Sequence, residues 1–388
     1  MRVLVAFDKF KDSLVSERAC EIAAEAINAA LPGCETDLCP LTDGGEGFAR
    51  ILTRAAGGTI SACEATGPLG ATVAASFGIV PLGKIRRGAA ARLGLPQTET
   101  GGSLAIIEMA SASGLALVPR GMRDPMRASS AGTGDLIRAA AAAGARAVLL
   151  GVGGSATHDL GLGALGALGV RFVGASGEAL CGLVPADWGS IAGVDGRAWD
   201  EVPQILIACD VTNPLLGPNG ALAVYGPQKG LRPEDAAWLE GQSARLAGML
   251  CRHFGRPPAF ESMPGAGAAG GIAFGLMAGA GATLLPGFDV VASWVDLEER
   301  LAAADLVLTG EGRFDESSMS GKGPGSIVQR ALARGKQVHV FAGEVSLSRE
   351  IPGLHTHAIS PREMELSVAL VRAPDLLREC VRRALCAR

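Results

Sequence analysis

The two ends of the chain share one pattern of apolar and polar positions. Residues 3–7 form a continuous apolar run, which is typical of a strand buried on both faces of a parallel sheet. Ser16 is placed to cap the next helix, whose apolar residues recur every three or four positions until Pro32 and Gly33. The C-terminal part repeats this rhythm, with strands predicted at 304–309, 337–341 and 357–360 and a helix at 326–333. Both ends therefore predict one doubly wound parallel α/β sheet.

The middle of the chain has a different pattern. Residues 59–80 alternate in short segments around Gly67-Pro68-Leu69-Gly70, which indicates a hairpin and not a helical crossover. Further strands are predicted at 104–109, 147–151 and 204–209, with a helix at 133–143 and a loop-rich span at 176–199. We therefore predict two domains, residues 1–60 with 288–388 and an inserted α/β domain of mixed sheet at 61–287. The cleft between such domains is the expected active site.

Charge excludes two classes of partner. The 388 residues carry a net charge of −4 with a pI near 5.8, whereas nucleic-acid or anionic-lipid binding needs a dense cationic face. The stretch 262–288 is uncharged and spaces four glycines as packed membrane helices do. It is nevertheless rich in Gly and Ala and bounded by prolines, so we interpret it as a closely packed helix of a soluble protein. We expect no nucleic-acid or membrane partner.

The cysteines and the N-terminus indicate the cellular compartment. The nine cysteines include no C-x-x-C pair, so we expect mostly buried thiols in a reducing environment. The N-terminal apolar run meets Asp8, Lys9 and Lys11 too early to make a signal peptide. We therefore expect a cytoplasmic protein.

The segment 151–159, GVGGSATHD, is the first candidate site. It lies between a predicted strand and a glycine-spaced helix, where glycines let the backbone approach a ligand and free N–H groups favour an anion. Ser155 and Thr157 add hydroxyl donors. A tight turn with a capped helix is an equally good interpretation of this segment alone, and His158 by itself reads as a polar loop residue.

Acidic residues follow several predicted strands. Asp8 follows the first strand, Asp43 opens a DGGEG segment after the second, and Asp315 ends the segment 310–315 (GEGRFD). The carboxyl ends of parallel strands share one edge, so these three carboxylates are expected to converge at the switch point, where they suit Mg²⁺ or a base. For any single aspartate a helix cap is the more common role.

Three further segments are candidates for nucleotide binding or proton transfer. The Gly321-Lys322 pair does not make a P-loop, because the first glycine would fall at Glu316 and no Ser or Thr follows Lys322. The sequence G-x-G-x-x-G at 265–270 follows no predicted strand and is therefore a weak dinucleotide signal. Asp210 follows a strand and can accept a hydroxyl proton with Asn213 orienting it, although an Asp-stabilised turn is the common alternative.

Together, the sequence motifs of this chain resemble those of the glycerate kinase family across essentially its whole length. The resemblance is carried by AFDKFKDSL (6–14), DGGEG (43–47), SASGL (111–115), SSAGTGDLI (129–137), GGSATHD (153–159), ACDVTNPLLG (208–217), GPQKG (226–230), PGAGAAGG (264–271), TGEGRFD (309–315) and GKGP (321–324). This chain departs from the usual family pattern at Ala131, His158 and Leu160. These departures concern the details of acceptor binding more than the chemistry.

The resemblance implies a flavodoxin-like domain interrupted by a second α/β domain, ATP and Mg²⁺ as cofactors, and D-glycerate converted to 2-phosphoglycerate. Our hypothesis is in-line phosphoryl transfer, in which the protein supplies position and charge. Asp210 is the leading general base and Asp43 and Asp315 hold Mg²⁺. The catalytic candidates are Asp210, Asp43, Lys11 and Asp8. The substrate- and phosphate-binding candidates are Gly153, Gly154, Ser155, Thr157, Asp159, Asn213, Lys229, Glu311, Arg313 and Lys322.

Three alternatives stay open at this point. A kinase acting on the 3-hydroxyl or on a related small hydroxy acid has the same requirements. A nicotinamide-dependent dehydrogenase needs the glycine motif at 265–270 to follow a strand. A non-catalytic regulator that binds a sugar acid releases no ADP. The sequence is also compatible with a homodimer.

Overall fold

A computed structural model of the chain describes residues 1–96, 101–257, 259–320 and 323–386. Its strands are β1 Arg2–Phe7, β2 Glu35–Leu38, β3 Thr59–Thr66, β4 Thr72–Pro81, β5 Ser103–Glu108, β6 Ala145–Gly151, β7 Arg171–Val173, β8 Ala179–Leu180, β9 Gly193–Asp195, β10 Gln204–Ala208, β11 Thr283–Leu285, β12 Leu306–Asp315, β13 Gln337–Ser346 and β14 Leu354–Ala358. Its α-helices are α1 Ser16–Ala30, α2 Phe48–Ala55, α3 Arg87–Arg92, α4 Ala110–Ser113, α5 Ala131–Ala142, α6 Leu162–Ala167, α7 Ala221–Tyr225, α8 Pro233–His253, α9 Ala268–Gly279, α10 Gly287–Trp294, α11 Leu297–Ala303, α12 Gly323–Leu332 and α13 Leu366–Cys386.

The first of two compact units comprises Met1–Asp43 and Val291–Arg388. Its five strands are all parallel in the order β2-β1-β12-β13-β14. Numbered within the unit, this order is 2-1-3-4-5, which is the flavodoxin-like order with its switch point between β1 and β12. The prediction of a flavodoxin-like parallel sheet is confirmed.

Apolar residues at helical spacing bury α1 and α13 of this unit. Ile22 and Ile27 of α1 and Leu377 of α13 have no exposed surface and belong to one cluster with Val5 and Phe7 of β1. Truncating a buried Ile or Leu side chain to Ala typically costs about 2–5 kcal/mol, so these contacts hold β1 firmly between β2 and β12.

The second unit comprises Gly44–Val290 and contains a six-stranded sheet in the order β11-β10-β6-β5-β4-β3. The four strands β11, β10, β6 and β5 are parallel, whereas β4 and β3 pair antiparallel. The hairpin closes where Thr66 pairs with Thr72, around the predicted glycine-proline turn. The predicted mixed sheet is confirmed.

A small antiparallel sheet, β8-β7-β9, overlaps the span 176–199 that we predicted as loop-rich: β8 and β9 lie in that span, and β7 lies just before it. Trp188 in this region is fully buried, and the guanidinium of Arg245 on α8 donates to the carbonyls of Trp188 and Ile191, at 2.5 and 2.8 Å. Strands of two or three residues are too short for a period of two to be recognised in the sequence.

Two boundaries differ from the predicted ones. The compact units divide at 43/44 and 290/291, whereas we predicted domain limits at 60/61 and 287/288. The N-terminal difference arises from α2, which packs against β3, β4 and β5. In addition, β12 continues to Asp315 and does not end near Thr309, because Gly310 and the residues after it keep pairing with β13.

The uncharged stretch 262–288 includes α9, in which Ala269, Gly270 and Gly271 have positive φ. No helix in the described ranges is both long and apolar enough to cross a bilayer. The glycines serve close packing: a Cβ on Gly270 would lie 2.1 Å from the Thr157 carbonyl oxygen, and one on Gly267 would lie 2.2 Å from that of Pro214. Among the described residues, no strand lies between α8 and the motif at 265–270, so the motif does not directly follow a strand.

Candidate active site

Asp8 stands at the carboxyl end of β1 in the first unit. Its amide donates to the Gly310 carbonyl at 2.9 Å, and its Oδ1 accepts the amide of Lys9 at 2.7 Å. The side chain is only 9% exposed. Burial, assisted by the negative charge of Asp43, raises the pKa of Asp8 to about 6. A carboxyl group with this pKa changes charge near neutrality, as acid–base and metal-binding groups commonly do.

Glu311 is the second carboxyl group of this edge, and its side chain is partly buried. It lies on β12 just beyond Gly310, which pairs with Phe7, the last residue of β1. Its Oε1 atom is buried and has no hydrogen-bond partner within the described ranges. Burial raises the pKa of Glu311 to about 7; a hydrogen bond from Ser318 opposes this rise, and the charges of Asp8, Asp315 and Asp43 add to it.

Asp43 and Asp315 lie close enough to influence Glu311, but their own environments are different. The Lys9 ammonium lies 2.8 Å from Asp43 Oδ1, and the Asp43 side chain is half exposed. Asp315 accepts hydrogen bonds from the amide and hydroxyl of Ser317, at 2.9 and 2.5 Å, which lower its pKa. Asp8, Asp43 and Asp315 are therefore all within electrostatic range of Glu311. We call these four residues the acidic edge.

The candidate phosphate-binding cations are placed unevenly. Lys11 is exposed in the turn after β1, and a Cβ on Gly312 would lie 3.4 Å from its amide nitrogen. Arg313 is largely exposed on β12, with Nε 3.2 Å from Asp315 Oδ2. Lys322, the other predicted cation, lies outside the described residues.

The glycine turn of the second unit follows β6. The Gly153 amide donates to the Gly44 carbonyl at 3.0 Å, and a Cβ on Gly151 would lie 2.5 Å from that same oxygen. The glycines are thus needed for the close approach of two backbone segments. The turn also pairs with the segment at Gly114, through the bonds Leu115 N to Gly154 O and Ala156 N to Ser113 O, at 2.8 and 2.9 Å.

Two amides of this turn stay open. Within the described ranges, no hydrogen-bond acceptor on the protein serves the N–H of Gly154 or Ser155. Gly154 has φ +72, and successive amides around such a residue form a concave anion-binding arrangement. The predicted preference of this turn for an anion therefore has a structural basis.

Lys229 contacts the glycine turn from the protein interior. It is 2% exposed, and its Nζ donates to Ser155 Oγ at 2.8 Å and to the Thr157 carbonyl at 2.6 Å. Burial lowers the pKa of Lys229 to about 7, and the charge of Asp159 opposes this change. The structure thus brings together the predicted residues Ser155, Thr157 and Lys229.

The rest of the motif is built into the protein interior. Asp159 has no exposed surface and accepts from the amide and hydroxyl of Ser130, at 2.7 and 2.8 Å, and from the amides of Gly161 and Gly163, both at 3.2 Å. Burial raises the pKa of Asp159, and the Ser130 bonds oppose this. The position argues for a structural role, because the carboxylate ties the start of α5 to the start of α6.

His158 and Thr157 are also enclosed. The His158 Nε2 atom lies 3.3 Å from Ser243 Oγ, and burial lowers the pKa of His158 to about 3, so the ring is neutral. Thr157 has no exposed surface, and its Oγ1 has no hydrogen-bond partner among the described residues.

Asp210 and Asn213 lie beyond β10. Both carboxylate oxygens of Asp210 accept the Phe288 amide, at 3.1 and 2.9 Å, which places Asp210 at the N-terminus of α10. Asn213 donates to the Asn219 carbonyl at 2.8 Å and accepts from the Tyr225 hydroxyl at 2.7 Å, so its amide group supports its own loop. Capping a helix and accepting a proton are compatible, and the catalytic role of Asp210 stays a prediction.

No sequence pattern pointed to Arg123, which lines the same crevice as Lys229. Its Nε atom is buried and has no hydrogen-bond partner among the residues that the structure describes, which marks the guanidinium as a candidate contact for an anion. Arg123 belongs to none of the glycine motifs, so only the tertiary structure associates it with the turn. The role of Glu311 was also underestimated, because its burial comes from the unforeseen extension of β12.

In the described part of the chain, no group of three or more His, Cys, Asp or Glu side chains is arranged to hold a metal ion. A divalent cation is still a reasonable fit to the acidic edge on one observation, since Glu311 Oε1 is buried with an unused acceptor beside the Asp8 charge.

Comparison with known proteins agrees with this architecture. The model of the family described as the glycerate kinase family matches residues 3–387. A glycerate kinase of Bacillus subtilis strain 168 is 38% identical over 366 residues, covering 92% of this chain and 88% of the relative. A glycerate 2-kinase of Escherichia coli K12 is 37% identical over 366 residues, covering 92% and 89%. The crystal structure of a glycerate kinase 2 candidate from Salmonella typhimurium LT2 has a TM-score of 0.78 and 35% identity, covering 100% of this chain and 98% of that one.

A flavodoxin-like unit with an acidic strand edge, together with a mixed α/β unit, therefore defines an enzyme of the kinase class. The chain belongs to the glycerate kinase family.

Proposed function

We propose that this protein transfers the γ-phosphoryl group of ATP to the 2-hydroxyl of D-glycerate and forms 2-phosphoglycerate. The similarity to the E. coli glycerate 2-kinase over 92% of the chain carries this proposal, because it spans the residues of both units. The 3-hydroxyl remains the main alternative acceptor, since the relative in B. subtilis bears the broader name glycerate kinase.

The nucleotide-handling groups belong to the first unit in this proposal. Lys11 and Arg313 neutralise phosphate oxygens, with Lys322 as a third candidate. Mg²⁺ is held by the acidic edge directly or through water, with Asp43 and Asp315 as first predicted and Glu311 and Asp8 added by their burial. When bound, Mg²⁺ supplies positive charge that stabilises the phosphate oxygens during transfer.

The acceptor-binding groups belong to the second unit. The glycerate carboxylate binds the open amides of Gly154 and Ser155, with Ser155 Oγ as an additional donor. Asp210 accepts the proton of the attacking hydroxyl and Asn213 holds the loop that carries it. Gly153 keeps the turn close to Gly44, while Thr157, Asp159 and Lys229 support it from the interior.

We also propose a cytoplasmic location, because the nine cysteines, all of them in the described ranges, are thiols and not disulfides. A homodimer remains a prediction that sedimentation equilibrium tests.

Incubating the purified protein with ATP, MgCl₂ and each glycerate enantiomer tests the proposal. ADP release is measured by a coupled assay, and ³¹P and ¹H NMR identify the phosphorylated carbon. We expect release with D-glycerate and a phosphate on C2. Phosphate on C3 selects the alternative acceptor, whereas absence of glycerate-dependent ADP release with either enantiomer contradicts the proposed function.

A further inference from the structure

The hydrogen bonds of Lys229 dictate how the Ser155 hydroxyl is used. The Lys229 Nζ atom is enclosed between Ser155 Oγ at 2.8 Å and the Thr157 carbonyl oxygen at 2.6 Å. A protonated lysine has three donors and no acceptor, so Ser155 Oγ must accept this bond. The proton of the Ser155 hydroxyl is then left for another acceptor.

Among the described residues, no acceptor takes the proton of the Ser155 hydroxyl. In the part of the chain that the structure describes, Ser155 Oγ has Lys229 as its hydrogen-bond partner and no other. The neighbouring amides of Gly154 and Ser155 are open as well, so three donors lie together on one turn. Ser155 is 8% exposed, so the hydroxyl is close to the surface, whereas Lys229 lies behind it.

We propose that Lys229 is a positioning residue: its ammonium group turns the Ser155 hydroxyl outward as a hydrogen-bond donor to the carboxylate of a small 2-hydroxy acid. This inference deepens the proposed function and rests on it for the identity of the acid. Lys229 does not touch the ligand; it acts through Ser155 and through the turn that it holds by the Thr157 carbonyl.

The arrangement depends on the charge of Lys229. Neutral lysine has a lone pair, so it accepts the Ser155 proton and the outward donor is lost. The titratable and charged groups facing Lys229 are His158 and Asp159 on the turn and Arg123 and Asp124 across the crevice. His158 is neutral near pH 7, and burial sets the pKa of Lys229 at about 7, so binding is expected to weaken as pH rises above neutrality.

A double-mutant cycle tests the inference. Ser155→Ala, Lys229→Met and the double variant are compared with wild type by calorimetric titration with D-glycerate and with glycolate, which keeps the 2-hydroxy carboxylate but lacks the hydroxymethyl group. Lys84→Met is the matched control, because the Lys84 ammonium donates to the Gly57 carbonyl at 2.7 Å from an exposed position. Each single substitution, Ser155→Ala or Lys229→Met, is expected to weaken binding about tenfold or more. The double variant is expected to bind within about twofold of the weaker single variant, because both changes remove the same interaction.

A second arm needs no change at Lys229 and covers the case in which Lys229→Met fails to fold. Wild type is expected to lose about tenfold in affinity between pH 6 and pH 9, and Ser155→Ala to lose at most about threefold. Additive effects in the cycle, or an equal pH dependence in Ser155→Ala, overturn the inference even when glycerate turnover is present. The two substitutions can also prove non-additive for glycolate binding in a protein that does not turn over glycerate. That result supports the inference about Lys229 and Ser155 and contradicts only the proposed function.

Discussion

Asp8 and Glu311 leave neighbouring parallel strands at the same level of the sheet, with the Asp8 amide bonded to the Gly310 carbonyl at 2.9 Å. The charge of Asp8 contributes to the raised pKa of Glu311, which is about 7. Asp8 is buried and Glu311 is partly buried, so their negative charges lie where water screens them poorly.

Replacing Glu311 by Gln is expected to lower kcat by about 10²-fold or more, because it removes a charged group at the phosphate-handling edge while keeping its shape. The fold should persist, since Oε1 makes no hydrogen bond that would be lost. Circular dichroism and steady-state kinetics measure the two effects. Glu363→Gln is the control, because Glu363 is exposed. A Glu311→Gln variant with normal kcat would remove Glu311 from the site.

Magnesium binding to the acidic edge can be followed without turnover. Adding MgCl₂ in the absence of nucleotide is expected to raise Tm by about 1–3 °C, because binding to the native state alone stabilises it. Asp8→Asn and Glu311→Gln should each abolish the shift. An equal ionic strength of KCl controls for screening. A shift that survives in both variants would place the cation elsewhere.

The role of Asp210 separates into two measurable parts. Asp210→Asn keeps one carbonyl oxygen to accept the Phe288 amide, whereas Asp210→Ala removes the cap and should cost about 1 kcal/mol of unfolding free energy. If Asp210 is the general base, either substitution should lower kcat of the enzyme about 10²-fold. Urea denaturation and the coupled assay are run on the same preparations. An active Asp210→Asn variant would leave Asp210 with the cap alone.

Lys229 should also leave a signature in stability. Its native pKa of about 7 lies below its ordinary value of 10.5, so between these pH values the unfolded chain binds more protons than the folded one. The free energy of unfolding then rises with pH in this window, by at most about 1.4 kcal/mol per pH unit. Subtracting the Lys229→Met profile from the wild-type profile isolates the slope. A flat difference between pH 7 and 10 would contradict the lowered pKa.

Asp159 is expected to be a stability residue. Asp159→Ala leaves the four donors from Ser130, Gly161 and Gly163 without their acceptor, at a cost of about 3 kcal/mol or more. Asp135→Ala is a comparison, because Asp135 accepts the Thr66 amide at 2.9 Å from a less buried position. If Asp159→Ala unfolds at the wild-type urea concentration but loses glycerate affinity, the residue belongs to ligand binding instead.

The parallel sheet of the first unit could be predicted because its signals are local. Continuous apolar strands such as 3–7 and helices with apolar spacing such as α1 need no knowledge of distant partners. The hairpin of β3 and β4 was equally readable from the Gly-Pro-Leu-Gly turn. In contrast, the amphipathic pattern of α2 states that one face is buried but not which sheet buries it, so the predicted domain limit fell beyond it.

The site was predictable where motifs carry the geometry and not where packing does. The convergence of Asp8 and Asp43 followed from the rule that parallel strands end at one edge. Glycines around Glu311 and Arg313 indicated a loop, although pairing with β13 holds them in a strand. The unpartnered Arg123 nitrogen and the enclosure of Asp159 depend on segments far apart in sequence, which no local pattern encodes.

One carbonyl oxygen, that of Thr157, receives the Lys229 ammonium and also leaves no room for a methyl group on Gly270. Three stretches of chain that are remote in sequence therefore share a single atom as their meeting point. A substitution in any of them must be matched in the others. The turn at 151–159, the segment 226–230 that carries Lys229, and helix α9 are therefore expected to tolerate exchange between related enzymes only when all three are exchanged together.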